Sequence, residues 1–221
     1  MRERFQRYAI YWTPPDESAI AAFGARWFNG FDTFGLPPRL VRRATEAPAH
    51  YRLHATLKAP FRLRDELPPE ALSEALDAFC AKRRAPFAGS LMLASQQRYL
   101  ALMLRDREVA VDWLAAECVT HFDRFRAALN EEDLTRREIA KMSAQEKIFL
   151  AEFGYPYVLS AFRFHISLAG PLTRIELAEV AKALAPPLAP FIGEPFRIED
   201  LTLVGEPKDG GVFETISRHR F

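Results

Sequence analysis

Two cysteines in 221 residues, Cys80 and Cys118, are too few for a disulfide framework, and no CxxC spacing makes them a metal site. Both fall in stretches with helical patterning and read as reduced core thiols. Charge of one sign is missing as well. Thirty basic residues face 29 acidic ones, a net charge of +1, so no overall field draws the chain to nucleic acid or an anionic membrane. Any anion it binds is held by a local site. No apolar run approaches bilayer length. The opening MRERFQRYAIYWTPP carries charges but no apolar h-region, so no signal peptide is expected and the expected location is cytoplasmic. What is present, 49% hydrophobic and 27% charged residues, is the balance of a globular chain able to bury one ample core or two small lobes.

Periodicity orders the chain. RYAIYW (7–12) is expected to be a strand stopped by Pro14 and Pro15, and PDESAIAAFGARWFNGF a helix opening near Pro15 and Asp16. GLPPRLVRRATEAPAH is proline-punctuated and expected to be extended or loop-like. A helix over 68–84 carries the stripe Leu72, Ala75, Leu76 and Phe79. SLMLAS and YLALMLR are expected strands joined by a polar turn, and REVAVDWLAAECVTHFDRFR an expected helix. Residues 130–153 are charged and helical, with candidate capping boxes at Thr135/Glu138 and Ser143/Glu146 that suggest two short helices. A third box, Thr173/Glu176, opens a helix over 173–185, followed by expected strands at 196–204 and 212–219.

One pattern occurs twice. YRLHATL (51–57) alternates apolar Tyr51, Leu53, Ala55 and Leu57 with polar Arg52, His54 and Thr56. RFHISL (163–168) alternates Phe164, Ile166 and Leu168 with Arg163, His165 and Ser167. Alternation of this kind is the mark of a half-buried strand. Each motif is followed by a helix and two strands, which suggests two similar β-α-β-β lobes about a pseudo-twofold axis. The lobes are expected at 1–127 and 154–221 of a single domain, with the helical stretch 130–153 as a peripheral insertion, a lid or partner surface.

Two such strands across a cleft bring two imidazoles and two hydroxyls to one small volume. Attack at phosphorus is in-line, so one imidazole takes a proton from the entering oxygen while the other protonates the leaving oxygen. An ordinary pKa near 6.5 leaves both forms accessible at neutral pH. Hydroxyls donate to the non-bridging oxygens, an arginine neutralises their charge, and no metal is required.

With these motifs the chain resembles the 2H phosphoesterases, the LigT-like cyclic phosphodiesterases named for paired His-x-[Thr/Ser]-x motifs. HATL and HISL match both. LHATLKAPF, GYPYVLSAFRFHISLAGPL and SRHRF are similar to an uncharacterised branch found alongside phosphonate-degradation genes. The resemblance implies a bilobal α+β fold, with antiparallel sheets lining a central cleft and helices outside. It implies metal-free, cofactor-free opening of a small cyclic phosphate ester, with His54 and His165 in the acid/base roles and Thr56 and Ser167 on the phosphate. The genomic company of the branch implies one substrate, a ribose 1,2-cyclic phosphate that also carries a 5-phosphate. Alternatives are hydrolysis of 2′,3′-cyclic nucleotides or RNA ends, and a module that binds a nucleotide or phosphosugar without turnover.

Further candidates for substrate contact are Arg52 and Arg163 on the motif faces, Lys58 beyond Thr56, Tyr155 before the second motif, and Tyr11 on the first strand. Each also has a plainer use in solvent, loop or core. His50 shares the face of His54 if that strand begins early; the i, i+4 spacing of HYRLH has no zinc meaning on a strand. His121 and His219 have no partner in view. RLVRR (39–43) and KRR (82–84) read as solvated surface.

Overall fold

Strand β1, Phe5–Trp12, is the first alternating run and stops where the prolines begin. In the computed structural model, which describes residues 4–135 and 139–221, it belongs to one eight-stranded sheet. The others are β2 (Ala55–Phe61), β3 (Phe87–Gln96), β4 (Tyr99–Leu104), β5 (His165–Ala169), β6 (Pro195–Arg197), β7 (Asp200–Pro207) and β8 (Glu214–Arg220). Their order is β6-β3-β4-β5-β2-β1-β7-β8, and every neighbouring pair is antiparallel. The fold is α+β.

The two motif strands, β2 and β5, are neighbours at the centre of this sheet. β4 and β3 extend it beyond β5, while β7 and β8 extend it beyond β1. Each half of the sheet thus takes strands from both 1–127 and 154–221, and the spatial halves are not the two consecutive chain segments. The reason is edge occupancy. β1 covers one edge of β2 and β5 covers the other, so the β3–β4 hairpin cannot pair with β2 and joins the free edge of β5.

Helices form where caps and apolar stripes agree. α1 (Ala19–Phe28) starts at Ser18, whose hydroxyl accepts the Ala21 N–H at 3.2 Å, rather than at Pro15 or Asp16. α3 (Pro69–Cys80) buries Leu72, Leu76 and Phe79, α4 is Val109–His121, and α5 is Glu131–Thr135. α6 (Ala144–Phe153) and α7 (Arg174–Leu188) open with the Ser143/Glu146 and Thr173/Glu176 capping boxes. The Thr135/Glu138 box extends to residue 138, outside the described residues. Among the described residues no helix is long and apolar enough to cross a membrane.

The stretch expected to be loop-like is instead a helix, α2 (Pro38–Ala49). Pro37 and Pro38 occupy the cap and first turn, where no intrahelical N–H is needed, and Pro48 lies in the last turn. Between them Leu40, Val41, Ala44 and Thr45 bury one stripe. This helix shortens the motif strand that follows. Residues 51–54 form the turn out of α2, Arg52 adopts φ 58°, and β2 starts at Ala55. His50 ends the helix and does not share a strand face with His54.

His219 does have partners. Its Nδ1 lies 2.7 Å from Asp77 of α3 and its Nε2 lies 2.8 Å from the Ser217 hydroxyl, pinning the edge strand β8 to α3. Cys80 and Cys118 are buried and free. Burial pushes the Cys80 thiol up to about 12 and the Cys118 thiol further still, so both remain protonated at neutral pH.

Candidate active site

Register decides what the two motifs build. Ala55 pairs with Ile166 across β2 and β5. Extended by one residue each way, an antiparallel register brings Thr56 towards His165 and His54 towards Ser167, a crosswise array. The two histidines then stand on a diagonal, near enough that His165 acts electrostatically on His54. Met103 of β4 pairs with His165 and Ala101 with Ser167; on the other side Tyr11 of β1 pairs with Thr56. The opposite face carries Leu57, Ile166 and Leu168, all buried, with the Trp27 indole donating to the Leu168 carbonyl at 2.8 Å.

Both imidazoles are held in the same way. His54 Nδ1 lies 3.0 Å from the Arg52 carbonyl, and His165 Nδ1 lies 2.8 Å from the Arg163 carbonyl. A carbonyl oxygen only accepts, so each Nδ1 carries the proton and each Nε2 is left to exchange one. In both copies the residue two before the histidine contributes its backbone.

The surroundings differ. The His54 ring packs on Tyr11, centroids 4.2 Å apart, with Tyr51 at 5.7 Å. Its side chain keeps some solvent contact, yet it sits deep among neighbours. Desolvation, opposed by the Arg52 carbonyl and aided by repulsion from His165, brings its pKa down from 6.5 to about 4. His165 is exposed at the mouth of β5.

A cavity of about 520 Å³ opens over the array, lined by Thr56, His165, Ser167, Arg163 and Tyr155, with Gln96, Gln97, Glu146 and Tyr157 further round. The small side chain of Ala101 beside Ser167 leaves room for it. Arg163 is exposed, and its guanidinium donates to the carbonyls of Ser160 at 3.0 Å and Phe162 at 2.5 Å. Tyr155 meets Tyr157 edge-to-face at 5.6 Å. Glu146 comes from α6, so the stretch 130–153 contributes to the wall.

Three candidates are placed otherwise. Arg52, off the strand in its left-handed turn, lines a different groove beside Thr13, Phe28 and Arg218. Lys58 is 3% exposed, and its ammonium donates to the Val119 carbonyl at 3.0 Å and to Asp123 at 3.2 Å. Held inside by these two bonds, it does not line the cavity over His165. Tyr11 is buried; it supports His54 by its ring, and its hydroxyl has no hydrogen-bond partner among the described residues. Burial raises that phenol well above 10.

Sequence reasoning did not reach the group behind His54. His50 lies 3.2 Å from Glu206, which also binds Arg7, while Tyr51 stacks on Phe213 at 5.3 Å. Only the alternation of Arg7, Ala9 and Tyr11 hinted that these residues share a face. Among the described residues no three His, Cys, Asp or Glu side chains gather as a metal cage.

Residues 56–214 match the model of a family described as "Protein of unknown function (DUF1045)". Two curated relatives are named ribose 1,5-bisphosphate phosphokinase PhnN. The one from Janthinobacterium sp. (strain Marseille) is 32% identical over 225 residues, covering 96% of this chain and 50% of the relative. The one from Laribacter hongkongensis (strain HLHK9) is 28% identical over 215 residues, covering 94% and 50%. The chain thus spans about half the length of the curated relatives it matches. Similar solved structures include a phosphoesterase (TM-score 0.47) and E. coli LigT complexed with 3′-AMP (TM-score 0.44). Each is 14% identical, over 98% of both chains.

Proposed function

Starting from a chain that belongs to the family described as protein of unknown function DUF1045, we propose that it is a cyclic phosphodiesterase. It opens a small cyclic phosphate ester by proton transfer between His54 and His165, without a metal. The observation that carries this reading is the crosswise array. Two imidazoles, each tethered through Nδ1 to a backbone carbonyl, come together where β2 and β5 pair, and His165, Thr56 and Ser167 line one cavity there.

In the proposed step a water oxygen attacks phosphorus and its proton passes to His54 Nε2. The opposite ester bond breaks, and the leaving oxygen takes a proton from His165 Nε2. The roles follow from surroundings. A desolvated imidazole that stays neutral suits the base, and an exposed one that exchanges protons with solvent suits the acid. Thr56 and Ser167 donate to the non-bridging oxygens, Arg163 supplies charge at the rim, and Tyr155 walls the cavity. Arg52 and Lys58 have no part in this scheme.

For the substrate we favour a ribose 1,2-cyclic phosphate bearing a 5-phosphate. The resemblance to the phosphonate-associated branch supports this, as do relatives named for a kinase of ribose 1,5-bisphosphate, a phosphorylated ribose of the same kind. The Tyr155–Tyr157 pair with Gln96 and Gln97 on the same cavity is the observation that favours the second reading, a 2′,3′-cyclic nucleotide. Phosphorus NMR of both esters, incubated side by side with purified protein and chelator, separates them. Ring opening of the ribose ester alone supports the first, and of the nucleotide alone the second. Tight binding with no product leaves a binding module.

A further inference from the structure

The proposed proton transfer leaves unused a row of buried charges that begins two residues beyond Thr56. Lys58 Nζ donates to Asp123 Oδ1. Asp123 receives the Arg126 guanidinium through both oxygens, at 2.8 and 3.1 Å. The same guanidinium donates at 2.8 Å to the carbonyl of Glu152, in the last turn of α6. A cation there satisfies a carbonyl that lacks an intrahelical partner and suits the negative end of the helix. The next turn is shaped around it. Gly154 ends α6 at φ 73°, and a Cβ on it would lie 2.9 Å from Arg126 Cδ. The arginine therefore lies flush against the backbone that carries Tyr155, and Tyr155 walls both the small cavity over Lys58 and Arg126 and the cavity over His165.

We propose that Asp123 and Arg126 are positioning residues: with Lys58 they form a strut between the site strand β2 and the end of α6, and this strut sets Tyr155 as the wall that holds the substrate. Arginine is required because one planar group must bind a carboxylate in two places and reach a carbonyl on another element; lysine offers a single point charge. Asp123 is needed because, without it, two cations face each other in a largely buried space. Its carboxyl is kept below the ordinary carboxylate range: burial alone would raise it, but Arg126 and Lys58 outweigh that. The strut touches neither imidazole, so it acts on binding rather than on proton transfer.

The inference rests on the phosphodiesterase reading for its kinetic part and not for its structural part. The test compares Arg126→Gln, Tyr155→Ala and the double variant in the full chain, with the cyclic ester that the wild type opens. Arg126→Gln should raise KM about tenfold, as the wall at Tyr155 loses its fixed place, and leave kcat nearly unchanged. It should add little on the Tyr155→Ala background, because both changes remove the same wall. Arg126→Lys should fall between Gln and wild type. In the absence of any ligand, hydrogen exchange of amides 154–158 should quicken in Arg126→Gln. Asp123→Asn, which weakens the hold on Arg126 from its other side, should do likewise and serves if Arg126→Gln does not fold. Additive effects in the double variant, or wild-type KM with unchanged exchange at 154–158, would overturn the strut. If the wild type opens no cyclic ester, the proposed function falls, and the exchange measurement alone decides the strut.

Discussion

HATL and HISL have the same residue types at the same spacing, and each histidine is tethered by the same backbone bond. They nevertheless sit in different media. His54 leaves a left-handed turn at the end of α2 and is boxed by Tyr11 and Tyr51, whereas His165 stands at the open mouth of β5. Duplication supplies two equivalent imidazoles, and the packing around them makes one a buried neutral ring and the other a solvated one. A desolvated imidazole held neutral beside an exposed one gives the pair two distinct settings for acid and base work on one substrate.

The comparison breaks first at the histidines. His54→Ala and His165→Ala should each cut turnover by about 10²–10⁴-fold, the range for a positioned proton-transfer group. Substrate affinity should change far less. The double variant should lose much less than the product of the two, since the pair acts as a unit. Equal turnover in wild type and His54→Ala would end the acid/base reading. Next come the hydroxyls. Thr56→Ala and Ser167→Ala should each cost roughly tenfold in kcat/KM, one hydrogen bond to charge apiece, and a loss as large as a histidine's would make them more than phosphate contacts.

The difference in medium is sharpened by pH. The rate should fall on acidification, along a limb set by protonation of His54 near pH 4. Tyr11→Leu lets water reach His54 and should move the acidic limb up towards 6.5; an unmoved limb would show that the ring does not shield it. Stability carries the same signature. Because the folded pKa of His54 lies below its unfolded value of 6.5, the unfolded chain binds the proton more readily as pH falls from 6.5 to about 4. Stability from this residue is therefore present above 6.5 and lost on acidification. His54→Ala should flatten the fall of Tm over that window, and an unchanged slope would show that His54 does not carry it. The smallest expected effect is that of chelators, which should leave activity unchanged; loss in EDTA with recovery on adding zinc or manganese would move the case to a metal mechanism.

Much of the layout was legible because alternation and capping are local signals. The strands at 7–12 and 99–105, the α3 stripe and two of the capping boxes lie where periodicity put them. The proline-rich stretch before the first motif was misread, because proline breaks a helix in its interior but suits its first turn, and Pro37 and Pro38 both fall at the start. That error carried forward. Because α2 runs to Ala49, the first motif strand begins at Ala55 rather than Tyr51, so Arg52 is off its face and the early start that would have placed His50 there does not occur. Lys58 failed for a different reason: its polar look hid two partners, Val119 and Asp123, about 60 residues away in the chain.

By itself the sequence determined residue types and period: two His-x-[Thr/Ser] pairs on half-buried strands, the helices flanking them, and a chain whose balanced charge leaves anion binding to a local site. Tertiary structure decided which strand lies beside which, and with it everything that depends on distance. That β2 and β5 are neighbours in the Ala55–Ile166 register makes one array of two motifs. That Tyr11 and Tyr51 close on only one histidine sets two like imidazoles apart. Period is a property of bonds along the chain. Register and burial follow from contacts between segments far apart in it, and a buried environment acts on a proton through those contacts alone.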